Sequence, residues 1–187
     1  MLSSYLEQVL VQHCAPTLLG AKSANLVSLS LAQLGDWEEE LALCNRLFGA
    51  AGLTFRQMCY CKQRVLLLVY RRQLLEARLM EPNVHNLLLE LGYPASQGVE
   101  ELLACLERRM GSYEVFPHEI GLFLDYPVGD VLGFIRHEGA GGKLCRYWKV
   151  YEDVEAAKER FACYDTCRCC LQRLLALGQS ISTLLAA

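Results

Sequence analysis

Apolar side chains recur every three or four positions along much of the chain, which is the spacing of a helix that buries one face. In residues 3–14, Leu6 and Leu10 fall on one such face. Pro16 disfavours helical backbone at the residue before it, so this first helix is predicted to end near Cys14. The same spacing, with capping residues and glycine stops, predicts helices over residues 36–50, 72–80, 83–91, 97–109, 129–137 and 153–177.

Four shorter stretches have the pattern of strands. "NLVSLSL" (residues 25–31) alternates apolar and polar residues. "RVLLLVYR" (64–71) is a continuous apolar run that is typical of a buried strand, although a buried helix fits it as well. "HEIGLFLD" (118–125) and "CRYWKVY" (145–151) complete the set, the second with a clear alternation between its two sides. Together they predict a small sheet of about four strands.

The order of these elements predicts an α/β or α+β fold in which more numerous helices pack on the small sheet. The chain has 187 residues, of which 53% are hydrophobic, so it is long enough to bury a core without disulfides. No stretch has the composition of a linker. We therefore predict a single domain over residues 1–187, with a frayed tail over residues 178–187 after a helix stop at Gly178.

Charge and hydropathy argue against two classes of partner. The formal net charge is −3 and the basic residues are scattered, so nucleic acid is not an expected partner. No apolar run approaches the roughly 20 residues of a membrane-spanning helix. The first residues also lack the basic and apolar regions of a secretory signal. We expect a cytoplasmic protein that does not enter membranes.

Four stretches carry a resemblance to a known family. They are "HCAPTLLGAKSANL", "LLLVYRRQLLEARL", "FPHEIGLFLDYPVGDVLGFI" and "CRYWKVYEDVEAAKERFACYDTC". In this order and spacing the chain resembles domain-of-unknown-function family 3793, a group of small bacterial proteins found largely in anaerobes. The resemblance covers nearly the whole chain and is most specific over residues 116–167. It implies a single-domain cytosolic protein of an anaerobic bacterium and implies no activity, so functional residues have to be argued from chemistry.

One arrangement of residues has the order of a cysteine-dependent enzyme. Cys14 as nucleophile, His118 as base and Asp125 or Asp130 as the group that orients the histidine would suit acyl or thiol transfer, or hydrolysis. A thiolate at the end of a helix opposes the helix dipole, which weakens this interpretation unless His13 or Lys22 compensates or Pro16 begins a new helix. The structural alternative is that His118 begins a strand and bonds to backbone, while Asp130 caps the helix over 129–137.

The ten cysteines are many for a cytosolic chain, in which thiols are normally reduced. On a helix, Cys163, Cys167 and Cys170 lie along one side, and Cys145 precedes them on a predicted strand. Three or four converging thiolates would suit zinc or an iron–sulfur cluster. Packing of these small side chains in the core and a redox or disulfide switch are the two alternatives. The residues identify no other cofactor.

A loop before the first predicted strand, "LLGAKSANL", offers polar side chains for a ligand. Lys22 and Asn25 precede the apolar strand, and Arg71 ends the strand "VLLLVYR", where a guanidinium can hold a carboxylate or phosphate. A plain connecting loop is the alternative. The leading interpretation is a binding module for a small molecule or a protein, with thiol-dependent chemistry. An enzyme and a metal protein are the other two.

Overall fold

The structure is a computed structural model that describes residues 2–111 and 116–185, with the side chain of Cys61 left out. Contacts between Cα atoms divide the chain into two compact units. Unit 1 comprises residues 1–74 and 164–187, and unit 2 comprises residues 75–163. The single domain predicted from the sequence stays a prediction, and each unit is described by itself below.

Unit 1 combines helices with an antiparallel sheet. Its elements are α1 (Ser4–Leu18), β1 (Ala24–Ser30), α2 (Trp37–Phe48), β2 (Leu53–Cys61), β3 (Arg64–Arg71), the second part of α8 (Val154–Ala176) and α9 (Ile181–Leu185). The sheet has the order β1-β3-β2, and both pairings are antiparallel. In the central strand, residues 65 and 67–70 are buried and Leu66 is half-buried, which is why this stretch reads as an unbroken apolar run.

The core of unit 1 lies between α1 and the sheet. Leu6, Leu10, Cys14 and Leu18 recur every four residues along α1 and are fully buried. They belong to one apolar cluster with sheet residues such as Leu67 and with residues of α2, α8 and α9. The helical spacing that predicted α1 therefore corresponds to its buried face.

Helix α1 does not end near Cys14, and the predicted stop at Pro16 is wrong. The helix runs on to Leu18 with Pro16 inside it. Proline costs a helix one backbone hydrogen bond. In α1 this cost is offset because residues 14–18 are all buried, so the last turn gains apolar contacts.

Unit 2 is mainly helical. Its elements are α3 (Arg72–Leu79), which begins just before the unit boundary, α4 (Pro82–Glu90), α5 (Val99–Gly111), α6 (Ile120–Phe123), α7 (Val128–Arg136), β4 (Leu144–Cys145), β5 (Lys149–Val150) and the first part of α8. The strands β4 and β5 form a two-stranded antiparallel sheet. Within the described residues the fold is therefore α+β, as predicted, with one sheet of three strands and one of two.

Two of the four predicted strands are wrong, and one strand was missed. Residues 118–125 form a turn and the short helix α6, because a short run that is buried on all sides has no period to separate helix from strand. Residues 145–151 fold back as the β4–β5 hairpin, although they contain no glycine, proline or asparagine to signal a turn. Strand β2 escaped prediction because a bulge between Gln57 and Cys59 breaks its alternation.

The predicted frayed tail over residues 178–187 stays a prediction, and up to residue 185 the structure places a short helix there. Helix α9 follows a turn at Gly178, whose φ is 77°, and Ile181 is fully buried. The backbone N–H of Ile181 donates to Glu7 Oε1 at 2.8 Å, which fixes this segment to α1. In residues 2–111 and 116–185, no helix has the length and the apolar character that crossing a membrane requires.

Candidate functional site

Unit 2 contains an apolar pocket of about 190 Å³. It lies between α6, the turn that follows it, α7 and the β4–β5 hairpin. Almost all of its lining surface is apolar. The side chains that form its walls are Ile120, Tyr126, Val131, Phe134 and Trp148, with His118, Asp130 and Lys149 as polar members.

Asp130 holds the pocket together from within α7. It is 3% exposed, and its carboxylate accepts three hydrogen bonds. Trp148 Nε1 donates to Oδ2 at 2.7 Å, and the backbone N–H groups of Tyr151 and Glu152 donate to Oδ1 at 2.7 and 3.1 Å. Because a buried carboxylate is tolerated only when its oxygens are bonded, this set ties the hairpin firmly to α7. Asp130 is therefore an internal anchor and not the helix cap that the sequence suggested.

Aromatic rings set the shape of the pocket. The rings of Tyr126 and Trp148 stack with centroids 5.2 Å apart, and Phe161 meets Trp148 edge-on at 4.5 Å. The Tyr126 hydroxyl donates to Tyr147 O at 3.2 Å. Burial raises the pKa of Tyr126 to about 12, so this hydroxyl is neutral at physiological pH and remains a donor. The wall is thus both apolar and rigid.

The turn between α6 and α7 is fixed by Arg78. Its guanidinium donates to Tyr126 O at 2.7 Å and lies 3.5 Å from Asp125 Oδ1. Asp125 itself adopts a φ of 63°, a conformation that few residues other than glycine adopt without support. Beside the turn, a Cβ on Gly121 would lie 2.7 Å from Val131 Cγ2. Only glycine lets α6 pack this closely against α7.

The polar groups of the pocket differ in whether they are already bonded. Lys149 Nζ donates to Gly139 O and Asp130 has its three donors, so these two polar groups are engaged. His118 is exposed and packs its ring on Phe134, with centroids 4.9 Å apart. The arrangement can accept an apolar group of the size of one ring, with an imidazole beside it.

Comparison with known proteins gives a family and no activity. The sequence model of the family described as "Protein of unknown function (DUF3793)" matches residues 10–185, nearly the whole chain. The chain belongs to the DUF3793 family. No curated protein and no solved structure matches the chain. The family predicted from four sequence stretches is confirmed, and the site has to be interpreted from its geometry.

The structure brings His118 and Asp130 of the DUF3793 chain to one pocket and directs Asp125 elsewhere. The Asp125 carboxylate faces Arg78. Within the described residues, the His118 imidazole contacts the rings of Phe116 and Phe134 and makes no hydrogen bond to Asp125. Sequence reasoning missed Tyr126, Val131 and Phe134 as site residues. The sequence did contain a signal for two of them, because Val131 and Phe134 are three positions apart and so lie on one apolar face of a predicted helix.

Cys14 lies in unit 1 and is fully buried in the middle of the α1 face. Burial raises the pKa of its thiol to about 12, although the positive charge of Lys22 opposes the shift. At neutral pH the buried thiol therefore keeps its proton, and the thiolate that a nucleophile needs is a minor form. The catalytic interpretation of Cys14, His118 and Asp125 stays a prediction, and the environment of Cys14 does not favour it.

The rate of alkylation distinguishes a reactive Cys14 from a Cys14 that only packs in the core. We expect iodoacetamide at neutral pH to label exposed Cys145 at least about 100-fold faster than Cys14, because the latter is both buried and protonated. Peptide mass spectrometry after a time course measures both rates, and labelling in urea should make them similar. Labelling of native Cys14 as fast as that of Cys145 would restore it as a candidate nucleophile.

The three predicted ligand-binding residues of unit 1 have structural contacts. The Arg71 guanidinium donates to Thr17 O and Ala51 O, both at 2.8 Å, and to Leu18 O, so it caps the end of α1. Asn25 Oδ1 accepts from Thr17 Oγ1 at 2.7 Å. Lys22 is 2% exposed, with its Nζ 5.7 Å from the centre of the Tyr164 ring. Their role in ligand binding stays a prediction.

The four predicted metal-binding cysteines are divided between the units. Cys145 and Cys163 belong to unit 2, and Cys167 and Cys170 to unit 1. Across residues 2–111 and 116–185, no three His, Cys, Asp or Glu side chains are placed to hold a metal ion. The zinc or iron–sulfur interpretation stays a prediction without a described ligand set.

Proposed function

We propose that this DUF3793 protein is a ligand-binding module whose pocket in unit 2 takes a small apolar ligand, such as a single aromatic ring. One observation carries the proposal: an apolar pocket of about 190 Å³ whose walls are held in place by a fully bonded buried aspartate. An apolar cavity of roughly 150 Å³ binds benzene, so the size is appropriate. The aromatic walls favour offset stacking or edge contacts with a planar ring.

We also propose that the protein works in the cytoplasm of an anaerobic bacterium. The nine cysteines with described side chains form no disulfide, and four of them are exposed. Exposed thiols are compatible with a compartment that keeps cysteine reduced. The bacterial and anaerobic part of this setting rests on the family resemblance described above.

Heteronuclear NMR tests the binding proposal, because the chain has two tryptophans and thus two indole N–H signals. Trp148 forms part of the pocket wall, whereas Trp37 of unit 1 donates to Gln57 Oε1. Titration with toluene should move the Trp148 signal along a saturating curve, with a Kd on the order of 1 mM for so small a ligand. The Trp37 signal, assigned with a Trp37→Phe variant, should stay in place.

A matched pair of variants on α7 makes the test specific. Phe134→Ala should weaken toluene binding at least about tenfold, since it removes one aromatic wall. Ile135→Ala should leave Kd unchanged, because Ile135 is the neighbouring residue, is 38% exposed and does not line the pocket. Equal shifts of both indole signals, or an unchanged Kd in Phe134→Ala, would contradict the proposal.

A further inference from the structure

The lining residues of the unit 2 pocket differ in how far they reach solvent. His118 is exposed and both Phe134 and Lys149 are half-buried, whereas Val131 and Trp148 are buried. The pocket therefore has an apolar interior and a mouth that carries an ammonium and an imidazole. A ligand that matches it has an apolar body and one polar end.

The side chain of Lys149 is held at this mouth by the glycine-rich loop, residues 139–142. A Cβ on Gly142 would overlap Lys149 Cγ, so the stem of the lysine packs directly on the backbone of the loop. At the end of the stem, Nζ donates to Gly139 O. Gly139 also borders the aromatic wall, because a Cβ at that position would lie 3.1 Å from Phe134 Cζ. The loop thus places the ammonium next to the Phe134 ring.

The Lys149 ammonium can accept a further partner. It has three N–H donors, and the bond to Gly139 O uses one of them. Within residues 2–111 and 116–185, no carboxylate lies within ion-pair distance of Lys149 Nζ. A half-buried cation that lacks a counter-ion loses part of its hydration without compensation. An anionic group on a ligand would supply that compensation.

His118 offers a second donor beside the same wall. Its ring lies on that of Phe134, with centroids 4.9 Å apart, and among the described residues neither ring nitrogen has a hydrogen-bond partner. A neutral imidazole has one N–H donor and an imidazolium has two. The Asp130 carboxylate takes up neither donor, because its oxygens are bonded to Trp148 and to the backbone of the hairpin.

We propose that the ligands of this pocket are aromatic carboxylates. The ring packs against Phe134 and Trp148, and the carboxylate stays at the mouth, where it accepts hydrogen bonds from Lys149 Nζ and the His118 imidazole. This inference rests on the proposed function and adds the chemical class of the ligand. Hydrogen bonds between an ammonium and a carboxylate are roughly twice as strong as those between neutral groups. The charge should therefore decide which aromatic molecules bind well.

Phenylacetate and phenylacetamide form a matched pair of probes, because they have the same ring and similar shape and differ in charge. In a titration of the wild-type chain at neutral pH, followed by the indole N–H signal of Trp148, phenylacetate should have a Kd at least about tenfold lower than phenylacetamide. If phenylacetate binds no more tightly than phenylacetamide, the inference is wrong. Saturable binding of toluene would then still support the apolar pocket, whereas a Trp148 signal that ignores toluene would contradict the pocket itself.

Two lysine variants assign the preference to one ammonium. Lys149→Met keeps an unbranched stem and removes the charge, so it should weaken phenylacetate binding at least about tenfold and leave the Kd of toluene unchanged. Lys143→Met is the matched control. Lys143 Nζ also donates to a backbone carbonyl, Glu152 O at 3.0 Å, but Lys143 is exposed and does not line the pocket. A Lys149→Met protein that still prefers phenylacetate, or a Lys143→Met protein that has lost the preference, would contradict the assignment.

A third variant tests the imidazole. His118→Phe keeps a ring on Phe134 and removes the N–H donor, so it should weaken phenylacetate binding by about threefold. The Kd of toluene should stay at the wild-type value, which shows that the pocket is intact. Unchanged binding of phenylacetate in His118→Phe would remove His118 from the proposed carboxylate site.

Discussion

Replacing Asp130 with alanine should destabilise unit 2 by about 3 to 5 kcal/mol. The carboxylate is buried and is the acceptor for the Trp148 indole and for two backbone N–H groups of the hairpin. Alanine leaves all three donors without their partner. A buried donor such as the Trp148 indole costs about 1 to 3 kcal/mol when it is left unbonded, and the two partly buried backbone N–H groups cost less because water can reach them. The stability of Asp130→Asn should lie between those of wild type and Asp130→Ala. The amide oxygen still accepts a hydrogen bond, whereas the NH₂ group faces another donor.

Urea unfolding followed by Trp148 fluorescence, in a Trp37→Phe background, measures this loss in unit 2. Asp153→Ala is the matched control. Asp153 is also an acceptor of a backbone N–H, that of Ala156 at 3.0 Å, but it is exposed at the start of α8. Its loss should cost only about 1 kcal/mol. Equal effects of the two substitutions would mean that Asp130 does not anchor the pocket.

The sequence predicts the elements of this chain better than it predicts their contacts. Helices such as α2 and α5 follow from periodicity and caps, because a half-buried helix shows its buried face in the sequence. The short buried run that forms α6 has no exposed face, so nothing in its pattern separates helix from strand. The bulge in β2 hides that strand in the same way, because it places buried Phe55 and Met58 three residues apart.

The candidate site shows a second limit. The sequence predicts His118 as a base and Asp130 as one of two groups that could orient it, and both line the pocket. Their roles were not predictable, because the acceptor capacity of Asp130 is used by the hairpin, whose reversal carries no turn residues. The structural role of Arg71 was not predictable either. Its guanidinium donates to the carbonyl groups of Thr17 and Ala51, which are distant in sequence, so the sequence alone left it open to bind an anion.

Raising the pH should destabilise the protein through Cys14. The unfolded thiol ionises near its ordinary pKa of 9.0, whereas burial raises the pKa of the folded thiol to about 12. Below about pH 9 the thiol is protonated in both the folded and the unfolded state, so its ionisation does not change the free energy of unfolding. Between pH 9.0 and about 12 the unfolded state loses its proton first, so stability falls as pH rises. One such thiol contributes a slope of about 1.4 kcal/mol per pH unit.

A Cys14→Ala variant isolates this contribution. At about pH 8 it should be less stable than wild type by about 1 to 2 kcal/mol, because a buried sulfur is lost. Since alanine does not titrate, the difference should shrink as pH rises and should disappear or reverse by about pH 11. Urea unfolding under reductant, followed by far-ultraviolet circular dichroism, measures it at each pH. Val11→Ala, at a buried position of the same helix that carries no titratable group, should cost stability without such a pH dependence. If the difference between wild type and Cys14→Ala stays constant, the folded thiol ionises near its ordinary pKa, which is the behaviour that a nucleophile requires.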